Sequence, residues 1–156
     1  MKNPVVFAGS FDPVTNGHID LIKRARAVFG EVVVVVFCNA AKKARFSVQE
    51  RVNFLKEALA GEPHVTVDSA QGLLTAYMKE HGYKVVVRGL RSAHDWNFER
   101  TNAYFNHALL PEMETVFLPA DPAHQFISSS AIKEAAAQGA DVCAWVPACV
   151  AKALSK

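Results

Sequence analysis

The sequence predicts an α/β fold in which a doubly wound, five-stranded parallel sheet carries helices on both faces. Five short runs rich in β-branched residues alternate along the chain with segments whose apolar residues recur at helical spacing. Strands and helices in this alternation are joined by right-handed crossovers, which place the helices on the two faces of one parallel sheet. The 156 residues, of which 51% are hydrophobic and 21% charged, suit a single domain over residues 1–156.

The five predicted strands are short and rich in valine. A run such as EVVVVVF has no polar residue at alternate positions, which is typical of a strand buried on both faces of a parallel sheet. We therefore predict five buried strands, at residues 5–8, 31–37, 64–68, 84–88 and 114–118.

The predicted helices have recognisable ends. Helix one ends before Gly30, a common helix terminator, and its inward face would carry Ile19, Ile22, Ala25, Val28 and Phe29. Helix two begins at a capping box formed by Ser47 and Glu50, and its inward residues would be Val52, Leu55, Ala58 and Leu59. The remaining helices are predicted over residues 73–81, after residues 92–95, and from the serines at 128–130 to near Gly139.

Charge and cysteine content narrow the class of protein. The net charge is only +2 and the basic residues are scattered, so we expect no nucleic-acid partner, and any bound anion should be small. The three cysteines, Cys38, Cys143 and Cys149, form no Cys-x-x-Cys pair and have apolar neighbours, which indicates a reducing cytoplasm. The amino terminus lacks a signal-peptide pattern and residues 32–38 are too short to span a bilayer, so we expect no membrane association.

Polar and basic residues follow four of the five predicted strands. They lie at residues 9–18, 39–46, 88–95 and 119–130. Because parallel strands end at the same edge of a sheet, where ligands of such folds bind, we expect these loops to form one site. The loop after the third strand offers little polarity and leads to Leu73 and Leu74, which could supply an apolar wall.

Basic residues at this edge indicate a phosphate ligand. Arg88 and Arg91 flank Gly89, and guanidinium groups match phosphate oxygens in pairs where a glycine lets the backbone approach. The alternative is that both arginines form surface ion pairs. Lys42, Lys43 and Arg45 are weaker indications, because a basic run in a loop is usually only solvated.

Hydroxyl and imidazole groups complete the predicted site. One of Ser128, Ser129 and Ser130 should cap a helix, and the same helix terminus could bind an anion. His18 is either structural or a neutral hydrogen-bond donor to charge that develops on a reacting phosphate. The histidines have no metal-ligand spacing, and the chain has no P-loop, no Gly-x-Gly-x-x-Gly pattern and no recognisable nucleophile. This combination favours direct transfer between two bound substrates.

The same residues resemble a known enzyme family. GSFDPVTNGH, KKARFSVQER, RGLR, the following Glu99 and QFISSS occur in an order and at spacings similar to those of the pantetheine-phosphate adenylyltransferases, over nearly the whole chain. The GxFDPxxxGH pattern alone would indicate only the wider nucleotidyltransferase superfamily with its (T/H)xGH signature. The resemblance implies a Rossmann-like nucleotidyltransferase fold, and transfer of AMP from ATP to 4'-phosphopantetheine with Mg²⁺, giving dephospho-coenzyme A and pyrophosphate in coenzyme A biosynthesis.

The resemblance also implies roles for individual residues. His18 would stabilise the transition state and also contact ATP. The acceptor would be bound by Ser10, Lys42, Leu74 and Arg88. The residues implied for ATP are Ser10, Phe11, His18, Gly89, Leu90, Arg91, Glu99, His124, Gln125, Phe126, Ile127, Ser128, Ser129 and Ser130. No side chain is implied as a metal ligand, and family members are typically homohexamers that coenzyme A often inhibits.

Other functions remain open at this level. The chain departs from the family's frequent residues at Ser10, Ala44 and Phe98, although the hydroxyl at position 10 is kept. A related enzyme could adenylylate nicotinamide mononucleotide or carry a cytidylyl group, but such enzymes usually have histidine where this chain has Thr15. A non-catalytic ATP-binding module would need the nucleotide loops without the acceptor residues Lys42 and Arg88.

Overall fold

The computed structural model describes residues 4–38 and 43–155. The strands are β1 (Val5–Gly9), β2 (Val32–Cys38), β3 (Val65–Gln71), β4 (Val85–Leu90) and β5 (Glu114–Pro119). The helices are α1 (Asn16–Phe29), α2 (Val48–Ala58), α3 (Leu74–His81), α4 (Ala93–Leu109), α5 (Ser129–Ala137) and α6 (Ala148–Leu154). All strands are parallel, in the order β3-β2-β1-β4-β5, so the predicted five-stranded α/β fold is confirmed.

Alternating side chains of the central strand β1 enter two separate apolar cores. Val5 and Phe7 pack with residues of α1, α2, α5 and α6 on one face of the sheet. Val6 and Ala8 pack on the other face, with α3 and the residues that follow α4. In a strand buried on both faces, every side chain packs in an apolar core, so polar residues do not alternate with apolar ones. This explains the continuous apolar runs of β1 and β2.

Two strands are less buried than predicted. Most side chains of β3 and β5 are partly or fully exposed, because these strands form the two edges of the sheet. β3 is also longer than predicted, since it continues through the three residues Ser69 to Gln71. The prediction of five fully buried strands was therefore wrong at both edges, where fewer neighbouring elements cover the sheet.

The helices and the segment between α5 and α6 differ from the sequence predictions in four details. Val28 is 67% exposed, so it does not belong to the buried face of α1, and Ala58 is only partly buried. Cys143 is exposed in the connection between α5 and α6, not in the apolar surroundings expected. Helix α6, of seven residues, was not predicted. Its residue Val150 is buried in the same apolar core as the inward residues of α2. No helix in the described parts of the chain is long and apolar enough to cross a membrane.

Candidate active site

A pocket of about 300 Å³ opens at the carboxyl edge of the sheet, around the ends of β1 and β4. The central strand order brings these two ends together, because β1 and β4 are hydrogen-bonded neighbours. The walls of the pocket include most of the residues predicted for the site: Ser10, Phe11, His18, Arg88, Gly89, Arg91, Glu99, His124, Ile127, Ser128, Ser129 and Ser130. The structure therefore gathers loops that lie more than one hundred residues apart in the sequence.

Some predicted residues are not among the lining of this pocket. Leu90, Gln125, Phe126 and Leu74 lie outside it, and Leu74 is partly buried against the opposite core. Lys42 falls outside the described residues. The site roles of these five residues, like those of the residues that line the pocket, stay predictions.

His18 is held by the cap of its own helix. The Thr15 backbone N–H donates to His18 Nδ1 at 3.0 Å, and the His18 backbone N–H donates to Thr15 Oγ1 at 3.3 Å. This reciprocal pair is a capping box in which histidine replaces the usual acidic residue. Because Nδ1 accepts a hydrogen bond, we assign the proton of the neutral ring to Nε2, which is then available to a ligand in the pocket.

The surroundings of His18 keep its imidazole neutral. Burial, followed by the positive charges of Arg91 and Arg88, lowers the His18 pKa from 6.5 to about 4. A ring that is neutral at pH 7 cannot contribute a full positive charge. It can donate one directed hydrogen bond from Nε2, as a group that stabilises developing negative charge must do.

Arg88 forms a forked ion pair with Glu99. Its Nε and Nη2 atoms donate to the two carboxylate oxygens of Glu99 at 2.9 and 2.6 Å, and Nη1 donates to the Ala8 carbonyl. Glu99 is the one buried residue of α4. These contacts use three of the five guanidinium donors and fix the plane of the fork. The remaining donors can bind an anion in the pocket.

Arg91 is held in a similar way by Asp95, four residues along the chain. Its side chain donates to the two Asp95 oxygens at 3.0 and 3.2 Å, and its Nη1 donates to the Ile127 carbonyl at 3.0 Å. Burial alone would raise the Asp95 pKa, but the hydrogen bonds from Arg91 bring it below its ordinary value. Both arginines thus form ion pairs, as the alternative had it, but the Arg88 pair is not on the surface, because Glu99 is buried, and both pairs line the pocket.

The start of helix α5 forms a second wall. Ser128 is the cap, since its hydroxyl accepts from the Ala131 N–H at 3.1 Å. Ser129 instead donates its hydroxyl to the Pro13 carbonyl at 2.7 Å, which ties α5 to the loop after β1. Within the described residues, the backbone N–H groups of Ser129 and Ser130 have no partner. A helix terminus with free amides favours anions.

Two glycines allow the walls to approach one another. A Cβ on Gly17 would lie 3.3 Å from His124 Cβ, so glycine permits the start of α1 to contact the loop after β5. A Cβ on Gly89 would lie 2.4 Å from a Leu21 methyl group. The sequence indicated close approach of Gly89 to a ligand, and in the structure the glycine also leaves room for the Leu21 side chain, which a Cβ would displace.

His124 carries an unsatisfied polar atom in this wall. Its Nδ1 is buried and has no hydrogen-bond partner among the described residues. Buried polar atoms in proteins are nearly always hydrogen-bonded, so an atom of this kind in a pocket indicates a place for a ligand or water.

Asp12 is a supporting residue that the sequence analysis did not identify. Its buried carboxylate accepts from the backbone N–H groups of Arg45 and Phe46 and from Lys133 Nζ, each at 2.9 Å. Burial would raise the Asp12 pKa, but these hydrogen bonds lower it below its ordinary value. Asp12 therefore joins three parts of the site: the loop after β1, the segment before α2, and α5.

Three other residues that support the site through hydrogen bonds were also not identified from the sequence. The sequence marks Thr15 only as a position that distinguishes related enzymes, and Asp95 only as part of a helix start, although the spacing of Arg91 and Asp95 could have indicated their pairing. Arg51 donates to the Ser10 carbonyl at 2.8 Å across 41 residues of sequence, and no local pattern indicates such a contact.

We expect the His18 ring to titrate far below an ordinary histidine. Its pKa of about 4, against 6.5 for an unperturbed ring, means that the unfolded chain binds the proton more tightly between these pH values. The contribution of His18 to stability is therefore complete above pH 6.5 and is lost as the pH falls to about 4. NMR titration of the ring, assigned with a His18→Gln variant, measures this pKa. A midpoint near 6.5 would contradict the geometry described.

Comparison with known proteins identifies the family. The model of the cytidylyltransferase-like family matches residues 6–135. A protein of Thermotoga neapolitana named phosphopantetheine adenylyltransferase is 48% identical over 149 residues, which cover 96% of this chain and 92% of that protein. Proteins of the same name from Levilactobacillus brevis and Leptospira biflexa are 46% and 41% identical, over 96% and 100% of this chain and 92% and 98% of their own lengths. The neutral His18, the anchored arginines and the α5 terminus thus occur in a chain that belongs to the phosphopantetheine adenylyltransferase family.

Proposed function

We propose that this chain transfers the adenylyl group of ATP to 4'-phosphopantetheine, giving dephospho-coenzyme A and pyrophosphate in coenzyme A biosynthesis. The observation that carries the proposal is a neutral histidine whose free N–H shares one pocket with two anchored arginines and the amides of α5. The near full-length similarity to phosphopantetheine adenylyltransferases supports this choice of substrates. We treat residues 1–156 as one nucleotidyltransferase domain.

The reaction requires positioning more than covalent chemistry. An oxygen of the acceptor phosphate forms a bond to the α-phosphorus of ATP, and the bond from that phosphorus to the bridging oxygen breaks, releasing pyrophosphate. Since the attacking group is already an anion, no general base is needed. The protein must bring two anions together and stabilise the charge that moves onto the oxygens of the transferred group.

His18 is the proposed transition-state stabiliser. Its Nε2–H would donate to an α-phosphate oxygen, while the Thr15 N–H on Nδ1 keeps the ring in the required tautomer. A neutral hydrogen-bond donor suits this task, because the ring keeps its proton throughout the reaction and does not have to be reprotonated between turnovers. His18 thus acts as a fixed hydrogen-bond donor.

The acceptor and the nucleotide use different walls of the pocket. Arg88, with its orientation fixed by Glu99, would bind the acceptor phosphate together with Lys42, and Leu74 would contact the thiol-bearing arm. Ser10, at the end of β1, would contact both substrates. The proposed ATP contacts are Phe11, His18, Gly89, Leu90, Arg91, Glu99 and residues 124–130. Glu99 accepts one hydrogen bond from Arg88 on each oxygen, and its carboxylate keeps acceptor capacity for the proposed contact with the nucleotide.

Mg²⁺ is proposed to enter with ATP. The pocket carboxylates of Asp95 and Glu99 are each engaged by an arginine, and the described residues contain no cluster of three or more metal-binding side chains. This donor set fits a metal ion held mainly by phosphate oxygens and water, which is how Mg²⁺ commonly binds with nucleotides. When bound, the ion would neutralise phosphate charge, and the protein would orient the phosphates.

Two other functions fit the site less well. A cytidylyltransferase or an enzyme acting on nicotinamide mononucleotide would use the same fold, and residue 15 is the position that distinguishes them in the sequence. Here Thr15 caps α1 through its hydroxyl and orients His18. A non-catalytic ATP-binding module would not require the oriented, neutral His18 or the anchored Arg88.

The assembly and regulation proposed for this chain follow those of the family. We propose a cytoplasmic homohexamer that coenzyme A inhibits by occupying the acceptor side of the pocket. Helix α4 supports an assembly, because it exposes an unusual set of large apolar side chains: Trp96, Phe98, Tyr104, Phe105 and Leu109. Exposed apolar clusters of this kind commonly mark protein interfaces.

The activity itself can be tested directly. Incubation with ATP, Mg²⁺ and 4'-phosphopantetheine should release pyrophosphate and form dephospho-coenzyme A, detected by mass. Parallel reactions with nicotinamide mononucleotide, or with CTP in place of ATP, should give much less product. Turnover of either alternative with no reaction of phosphopantetheine would overturn the proposed substrates, and no turnover with any acceptor would favour the binding module.

Removal of the His18 ring should slow the chemical step selectively. We expect His18→Ala to reduce kcat by about 100-fold or more, the effect typical of losing one preorganised donor, while the Kd for ATP measured by calorimetry changes little. His64→Asn is the matched control, because His64 is exposed before β3 at a φ of 61°, which asparagine tolerates. It should retain full kcat. Equal losses of ATP binding and rate in His18→Ala would reject the transition-state role.

The α4 face can be tested by the mass of the assembly. Light scattering should give about six times the 17.0 kDa mass of the chain. Tyr104→Glu with Phe105→Glu should reduce this mass, because charged side chains are costly to bury in an interface. Val28→Glu, a control at an exposed apolar position of α1, should leave it unchanged. A monomeric parent protein would contradict the proposed hexamer.

A further inference from the structure

The turn between β1 and α1 contains a strained residue at the centre of the site. Phe11 has a φ of 48°, a conformation that bulky side chains rarely adopt. Its ring contacts the His18 ring edge to face, with centroids 5.1 Å apart and planes at 76°. Such a conformation persists only where the surroundings hold it firmly, and the turn carries Ser10 beside it.

Arg51 holds the residue on the amino-terminal side of this strained position. It lies in α2 and is only 3% exposed, yet its side chain donates to two backbone carbonyls: Nη1 to Ser10 at 2.8 Å and Nε to Ser47 at 3.3 Å. Among residues 4–38 and 43–155, no carboxylate pairs with it. Buried charged groups are normally paired, so this arginine needs a separate explanation.

The other side of the strained residue is held by the same part of the chain. Asp12 follows Phe11 directly, and its carboxylate accepts from the backbone N–H groups of Arg45 and Phe46 at 2.9 Å. Residues 45–51 therefore fix both chain neighbours of Phe11. A purely structural link would not require a buried guanidinium, because replacing buried ionic groups with apolar ones of similar size is often neutral for stability.

We propose that Arg51 is a positioning residue for adenylyl transfer. By holding the Ser10 carbonyl it keeps the turn in its strained form, which places the Ser10 hydroxyl in the pocket and the Phe11 ring against His18. Without Arg51 the turn relaxes, and both groups lose their alignment with the reacting phosphates. The proposal rests on the proposed function and adds to it a residue outside the pocket wall.

The kinetic test separates positioning from stability. Arg51→Met keeps the bulk and apolar contacts of the side chain and removes its donors. We expect kcat to fall by about 10- to 100-fold, since small misplacements of reacting groups cause losses of this size, with a much smaller change in the Kd for ATP. Arg51→Lys keeps the charge and one donor for the Ser10 carbonyl, so it should recover much of the lost kcat.

A control variant on the same helix shows what destabilisation alone does. Val52→Ala removes buried methyl groups next to Arg51 in the chain, where Val52 is 6% exposed. It should lower Tm while kcat, measured well below Tm, stays at the parent value. An Arg51→Met variant with unchanged kcat, or with a loss no larger than that of Val52→Ala, would overturn the proposal.

A second measurement needs no substrate. The ring current of Phe11 shifts the His18 ring resonances, so Arg51→Met should move them and Val52→Ala should not. Unmoved His18 resonances in Arg51→Met would overturn the positioning role even if the parent enzyme is active. Moved resonances in a parent protein that releases no pyrophosphate would instead reject the proposed function and retain the link from Arg51 to His18.

Discussion

The parallel arrangement of β1 and β4 is the constraint on which the site depends. Because the two strands are neighbours and run in the same direction, the loops that follow them meet at one edge of the sheet. This contact brings His18 and Arg88 to one pocket although seventy positions separate them in the sequence. The valines of the central strands line no part of the pocket, but their burial on both faces of the sheet fixes where Arg88 and the loops after β1 and β4 lie.

Within the pocket, Arg88, Arg91 and His18 are each oriented by a hydrogen-bonding partner. Glu99 fixes the fork of Arg88, Asp95 fixes that of Arg91, and the Thr15 amide selects the tautomer of His18. Preorganisation of this kind matters for phosphate transfer, because the donors must already point at the places where charge develops. Burial, followed by the charges of Arg91 and Arg88, lowers the His18 pKa, so the cations that would bind phosphate also help to keep the donor neutral.

The loop after β1 receives support from distant parts of the chain. Asp12 bonds to the segment before α2 and to Lys133 of α5, while Ser129 of α5 bonds to the Pro13 carbonyl. Residues far from this loop in the chain therefore determine its shape at the edge of the pocket. This arrangement explains how Phe11 can hold a conformation that its own side chain disfavours.

The sequence by itself predicted the alternation of strands and helices as far as α5, the cap at Ser47 and a cap among residues 128–130, because these depend on local periodicity and helix-end signals. The rule that parallel strands end at one edge, together with the family resemblance, predicted most of the pocket lining. The sequence did not determine which strands would be edges, so the exposure of β3 and β5 was missed. Nor could it reveal Asp12 and Arg51 as supports for the site. Hydrogen bonds between residues tens of positions apart depend on how whole elements pack, and only the tertiary structure decides that.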